Sequence, residues 1–459
     1  MNATANNIGE RAQELCEKLY LAAKKSKTRR FHILFDKIYR TDFLKLAWRQ
    51  VKANKGSPGI DNETIEDIVK KGEETVLGEL QYRLKNKKYF PKKVKRVYIP
   101  KPDGKQRPLG IPTVRDRIVQ TSAKMVIEPI FEADFLDCSY GFRPNRSAHD
   151  ALDAIREIIN AGYPIILDAD IKGFFDNINH EKLLNFVYQR INDRKVLKYI
   201  RKWLTCGVLD SGLPIETDKG TPQGGVISPL LANIYLHELD KYWAQQRVVN
   251  GKLIRYADDF VIMFKTKKDA EKGLEIVKAI LAGLDLELNE DKTKIVDTTQ
   301  GNDGFDFLGF HIRQKNSFKR KRYYAQQWPS DKSMKSLRTR IKEFLGNRAI
   351  LNWNIEDVVN KLNPIIWGWI SYFRFGSSAK KFLQMEMYVH ERMALWWSKK
   401  HQKAGRRWTT DFTRKKLHKC GVQSFNGTCI YWSRYSKAQG RRSSVSRVRE
   451  NFMHGLMRG

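Results

Sequence analysis

Leu253-Ile254-Arg255-Tyr256-Ala257-Asp258-Asp259-Phe260-Val261-Ile262-Met263-Phe264 sets two adjacent carboxylates between two apolar runs. The flanks read as buried β-strands, so the acid pair falls at or beside a tight hairpin turn. Neighbouring residues on a regular strand point to opposite faces, and a turn is where both can approach one site. A hairpin tip with two acids suits Mg²⁺, a hard cation that prefers oxygen ligands and shares them with substrate phosphates. Taken alone, the pattern is weak, and its usual reading is a solvated turn.

A third carboxylate shifts the balance. Pro164-Ile165-Ile166-Leu167-Asp168-Ala169-Asp170-Ile171-Lys172-Gly173-Phe174-Phe175 is a second apolar strand that ends in acids and runs on through a turn into a helix. Two metal ions about 4 Å apart can clamp the attacking and leaving oxygens of an in-line phosphoryl displacement. Such a centre needs several carboxylates, and here separate strands supply them. Asp168 and Asp170 share strand parity, so periodicity does not choose between them.

Three blocks occur in a telling order: Asp170-Ile171-Lys172-Gly173-Phe174-Phe175-Asp176-Asn177-Ile178, Gly220-Thr221-Pro222-Gln223-Gly224-Gly225-Val226-Ile227-Ser228-Pro229 and Tyr256-Ala257-Asp258-Asp259. Around them stand Ile99-Pro100-Lys101-Pro102-Asp103-Gly104-Lys105-Gln106-Arg107-Pro108-Leu109, Tyr140-Gly141-Phe142-Arg143-Pro144, Asn289-Glu290-Asp291-Lys292-Thr293-Lys294 and Phe307-Leu308-Gly309-Phe310. From about residue 50 to 400 the chain resembles the bacterial group II intron-encoded reverse transcriptase/maturases. The resemblance implies an α+β right-hand polymerase, with fingers and a palm built on an antiparallel sheet, followed by an α-helical thumb or maturase domain. It chooses Asp170 over Asp168, which is left as structural. It implies that Asp170, Asp258 and Asp259 are catalytic and that they hold two Mg²⁺ ions, with Mn²⁺ able to substitute, aided by the backbone carbonyl of Ile171. By the same resemblance Lys101, Arg107, Phe175, Pro222, Gln223 and Lys292 contact the nucleotide. Phe175 is the steric gate against a ribose 2′-hydroxyl, and Lys292 is an acid for departing pyrophosphate. Leu308 and Gly309 fall where the family grips the primer.

Composition agrees with a polyanionic partner. The 459 residues carry a formal charge of +34, while 41% hydrophobic residues and eleven tryptophans argue for folded cores. Expected partners are RNA template, intron RNA, DNA primer or target and deoxynucleoside triphosphates, with no membrane. No apolar run approaches the roughly 20 residues that span a bilayer. The first ten residues lack a signal-peptide core, so the expected location is the bacterial cytoplasm, at the nucleoid when engaged on DNA. Cys16, Cys138, Cys206, Cys420 and Cys429 lack paired spacing and read as reduced thiols, not a zinc site. From Arg313 onward 33 Lys/Arg face 8 Asp/Glu, and eight of the tryptophans lie there. This last third is therefore the expected phosphate-binding region.

Four segments are expected. Residues 1–80 form a helical N-terminal extension, with Phe43, Leu44, Leu46, Ala47, Trp48 and Val51 on an amphipathic stretch. Residues 81–312 form fingers and palm, including a hairpin between 94–100 and the five residues after Gly110, and helices at 116–135, 147–160, 181–191 and 229–243. Residues 313–404 begin with a basic linker at 313–332, then helices at 333–346, 355–375 and 380–401. Residues 405–459 read as a basic tail and candidate DNA-binding region. The implied function is RNA-directed DNA synthesis with assistance to intron splicing and mobility. Two rivals share these residues: an RNA-binding splicing factor that no longer polymerises, and a domesticated relative serving defence or repair.

Overall fold

The computed structural model describes residues 2–100, 106–210, 213–215, 219–221, 224–299, 302, 304–317, 322–404 and 410–430. Lys101, Pro222 and Gln223 therefore lie outside the described residues. Two compact units emerge, the first from the described residues of 1–151 and 167–295, the second from those of 152–166 and 296–442.

The first unit opens with helices Asn2–Lys25, Phe35–Ile38, Thr41–Ala53, Ile65–Lys71 and Glu73–Lys85. The apolar stripe from Phe43 to Val51 is buried along its length, and its helix packs on the helix Val114–Glu132. Strands β1 (Val94–Pro100) and β2 (Gln106–Ile111) pair antiparallel, with Ile99 opposite Arg107. The second strand thus begins at Gln106 and runs through Gly110 to Ile111, instead of starting after Gly110. Pro108 cannot donate to a ladder, but β2 is an edge strand, where proline is tolerated.

Next come β3 (Ile165–Ala169), β4 (Val208–Asp210), β5 (Leu213–Ile215), β6 (Lys252–Tyr256), β7 (Asp259–Phe264) and β8 (Lys294–Asp297). One sheet has the order β2-β1-β4-β5, with β1 and β4 parallel; the other has the order β6-β7-β3-β8. β7 is buried from Phe260 to Phe264, which explains its unbroken apolar run.

Two helices of the first unit escaped the sequence reading. One, Lys267–Gly283, starts at Thr266, whose hydroxyl accepts the Asp269 N–H. The other, Arg194–Leu204, buries Val196, Tyr199, Ile200, Trp203 and Leu204, the i, i+3, i+4, i+7, i+8 stripe of a surface helix. Its cap, Asp193, is 7% exposed. One carboxylate oxygen accepts the Leu34 and Phe35 N–H groups at 2.8 Å each, and the other accepts Lys195 N–H at 2.9 Å. Asp193→Ala should cost about 2–4 kcal/mol, since it orphans buried donors as well as uncapping the helix. Urea unfolding of the variant measures that loss.

The second unit contains β9 (Phe305–Phe307), β10 (Phe310–Ser317) and β11 (Arg322–Pro329) in the order β11-β10-β9. The expected basic linker at 313–332 is therefore a β-hairpin. Phe310, Ile312, Ala325 and Gln327 are buried in alternation with outward charged and polar residues, a period-2 pattern hidden by the high charge. Helices Asp331–Gly346, Ile355–Phe373 and Ala379–Lys400 follow. Residues 410–430, expected as weakly structured tail, are folded onto them. Phe412, Leu417, Val422 and Phe425 are buried, and Phe425 meets Trp369 and Phe382. Glu386, itself 2% exposed, accepts the Phe425 N–H and the Asn426 side-chain amide.

Candidate active site

β6 and β7 are antiparallel with Tyr256 opposite Asp259, so Ala257 and Asp258 form a two-residue turn. Ala257 takes a φ of 59°, the positive value that primed hairpin turns need and alanine rarely adopts. A buried network holds it there. Arg255 is fully buried and donates to both oxygens of Asp240 (2.8 and 2.5 Å), to Asn233 Oδ1 (3.0 Å) and to the Ala257 carbonyl (2.9 Å). Asn233 in turn donates to the Gly141 carbonyl at 2.8 Å. Gly141 has no room for a side chain: a Cβ there would lie 2.3 Å from the Ala257 nitrogen. The backbone of Tyr140 donates to Arg255, and that of Arg255 donates to Cys138, each at 2.8 Å. Arg143 fixes the same loop through Glu132 and the Leu136 and Ser139 carbonyls. The Tyr-Gly-Phe-Arg-Pro block is thus the buttress of the acid-bearing turn.

Asp170 lies just beyond β3, the neighbour of β7. Its carbonyl accepts the Asn289 N–H at 2.7 Å, and its carboxylate pairs with Lys292 at 2.9 Å. The Asn-Glu-Asp-Lys-Thr block therefore folds against it. Ile171 sits opposite Leu288 in an antiparallel bridge whose hydrogen bonds run from Lys172 N–H to Glu287 and from Asn289 N–H to Asp170. That register leaves the Ile171 carbonyl out of the bridge. Burial raises the Asp258 carboxyl above the usual range; Asp170 adds to the rise, while its own backbone N–H and Arg107 oppose it. Asp259 is pushed up to about 6, first by the protein crowded around it, then by repulsion from Asp258 and Asp170, with Lys292 and Arg107 opposing. Its edge remains open to solvent, so water screens part of that repulsion. Three carboxylates and two cations thus share one electrostatic neighbourhood.

Phe174 is 2% exposed and Phe175 9%, with ring centroids 5.1 Å apart. The Phe175 carbonyl accepts the Thr221 N–H at 2.7 Å, and a Cβ on Gly220 would lie 2.9 Å from the Phe175 and Asp176 carbonyls. Gly220 and Thr221 are thereby docked on the backbone of Phe175 and Asp176. Leu308 and Gly309 belong to the second unit, where both have positive φ in the β9–β10 turn. Tyr372 donates to the Leu308 carbonyl at 2.9 Å, and Ser333 donates to that of Gly309 at 2.8 Å.

Among the described residues no three His, Cys, Asp or Glu side chains are gathered tightly enough to enclose a metal by themselves. The donor set still suits Mg²⁺, which binds through one or two carboxylates plus substrate phosphates and keeps several waters. Mutual repulsion among the three acids is what a hard cation would relieve.

Residues 99–312 match the reverse transcriptase (RNA-dependent DNA polymerase) family, and residues 334–413 match the group II intron maturase-specific domain. Protein YkfC of Escherichia coli is 34% identical over 384 residues, 75% of this chain and 97% of YkfC. The group II intron-encoded protein LtrA of Lactococcus lactis is 34% identical over 352 residues, 62% of this chain and 57% of LtrA. The chain belongs to the group II intron-encoded reverse transcriptase/maturase family. Its polymerase region is that of an RNA-directed DNA polymerase. A protein in the cob intron of Schizosaccharomyces pombe is 26% identical across 81% of this chain and 55% of its own length. The chain thus spans little more than half the length of LtrA and of the cob-intron protein. Among the described residues no helix is long and apolar enough to cross a membrane.

Proposed function

We propose that this reverse transcriptase joins a primer 3′-hydroxyl to the α-phosphorus of a deoxynucleotide at Asp170, Asp258 and Asp259, copying RNA, and that the helical second unit engages intron RNA to assist splicing and mobility. The observation that carries the first part is the meeting of Asp170, from the end of β3, with the Asp258-Asp259 turn under the opposing charges of Lys292 and Arg107. The three carboxylates and the Ile171 carbonyl would hold two Mg²⁺ ions. When bound, these ions neutralise charge on the attacking oxygen and on the leaving pyrophosphate. Arg107, opposite Ile99 in β2, offers a planar set of donors for triphosphate oxygens, with Lys101, Pro222 and Gln223 completing the nucleotide contacts. Lys292, 64% exposed, donates to Asp170 in the free protein and can turn to the departing pyrophosphate as its proton donor.

In this reading β1 and β2 belong to the fingers, the β6-β7-β3-β8 sheet to the palm, and residues 313–404 to the thumb. The turn at Leu308 and Gly309 grips the primer backbone. LtrA is a group II intron-encoded protein, and the maturase-specific match at 334–413 supports the same RNA for this chain. Primer extension on an RNA template, with and without EDTA, tests the polymerase; splicing of a group II intron RNA with purified protein tests the second role.

Phe175→Ala should admit ribonucleotides, because the aromatic wall stands where a 2′-hydroxyl would collide. A rise of roughly 10- to 100-fold in ribo- over deoxyribonucleotide incorporation is expected. An unchanged ratio in a folded variant would make Phe175 a core residue only, as its burial also permits.

A further inference from the structure

We infer that the exposed face of the helix Arg194–Leu204, together with Phe90, binds single-stranded RNA at a surface separate from the catalytic carboxylates. The inference rests on the nucleic-acid reading above and adds a second contact to it. The helix directs Arg194, Lys195, Lys198 and Arg201 into solvent and contains no acidic residue. Arg201 is tied to Glu181. Among the described residues no carboxylate pairs with Arg194, Lys195, Lys198 or Lys202. Arg194, Lys198 and Lys202 recur every four residues, about 6 Å apart along the axis, and so form one cationic stripe. Unrelieved repulsion along such a stripe favours a polyanion.

Phe90 gives the stripe a base-binding element. It is 67% exposed, and the Lys202 ammonium lies 3.9 Å from its ring centroid. Its position is fixed by its neighbour: Tyr89 is 4% exposed, donates to Asp116 at 2.7 Å and accepts from Trp203 at 3.3 Å. An exposed ring on a fixed backbone, bordered by cations, is the combination that stacks unpaired bases while holding phosphates. Beside the helix lies a polar groove of about 660 Å³ whose border mixes Lys93, Arg201 and Lys219 with the acids Glu181 and Asp285, so the cationic stripe itself carries the phosphate contacts. An acidic protein would use the cations but would leave the ring without a base to stack on.

The test uses the full chain and a uridine homopolymer RNA, with affinity measured by fluorescence anisotropy across a salt series. Replacing Arg194, Lys195, Lys198 and Lys202 together by Gln preserves helix propensity while removing the charge. The slope of log affinity against log salt should shrink by about 2 to 3, at roughly 0.7 for each phosphate no longer neutralised. Extension at saturating short primer–template should stay at the wild-type rate. Phe90→Ala should weaken binding roughly tenfold without changing the slope, since it removes stacking alone. Unchanged slopes and affinities in a quadruple variant that still extends primers would overturn the inference. So would loss of poly-glutamate binding with RNA binding intact, which would make the occupant an acidic protein. Should the quadruple variant not fold, Phe90→Ala decides, and wild-type affinity there sinks the idea. Failure of the wild-type chain to bind RNA at all would instead remove the proposed function.

Discussion

Replacing Asp258 by Asn should lower DNA synthesis by about 10³-fold or more, a loss near 4 kcal/mol of transition-state stabilisation, while the protein stays folded. The amide would keep the shape of the turn, whose geometry comes from Arg255 and Gly141 and not from the carboxylate. The double change Asp258→Ala and Asp259→Ala should abolish synthesis and leave RNA affinity equal or higher, because two negative charges leave a cationic protein. Stability supplies an independent check. Asp259 titrates near 6 in the folded chain, above its ordinary value of 3.8, so the folded state binds more protons between those values. The metal-free protein should therefore lose stability as pH rises through that window, and Asp259→Asn should flatten the decline. Near-normal extension by the double variant, or identical pH profiles of melting in EDTA, would remove the metal-site reading.

The sequence made the two acid-bearing strands legible because their apolar runs end abruptly at the carboxylates. It also exposed the helices whose stripes are free of charge clusters. The helix Arg194–Leu204 was missed because five basic residues mask an apolar stripe that the spacing of Val196, Tyr199, Ile200, Trp203 and Leu204 does encode. Charge likewise concealed the β10–β11 hairpin, whose alternation is visible only when Arg313 and Lys315 are read as outward positions. A cut at residue 313 would therefore sever a strand, and one at 404 would strip Phe412, Leu417 and Phe425 from the helices they cover. Other features depend on contacts distant in the chain. Gly141 is a glycine because Ala257, more than a hundred residues later, leaves no space for a Cβ. Nothing local signals that. Arg255 offered one local clue, a cation inside an otherwise buried strand beside the acid pair, and a buried charge demands a partner.

That partner makes Arg255→Met the most damaging substitution expected outside the carboxylates. Asp240 is fully buried, and its two oxygens receive their hydrogen bonds from Arg255. Methionine fills much of the space but leaves a bare carboxylate in the core, which costs about 3–5 kcal/mol. It also frees the Ala257 carbonyl, so a turn held at positive φ can relax and carry Asp258 out of line. Two effects are thus mixed, and a second change separates them. Arg255→Met with Asp240→Leu removes both charges, so most of the lost stability should return in urea unfolding. Synthesis should not return with it, because the bond to the Ala257 carbonyl is still missing and misplacement by even 1 Å costs roughly 10²-fold in rate. Recovery of full activity in the double variant would mean that the pair only stabilises the fold. Recovery of stability without activity would identify Arg255 as the residue that aims the catalytic turn.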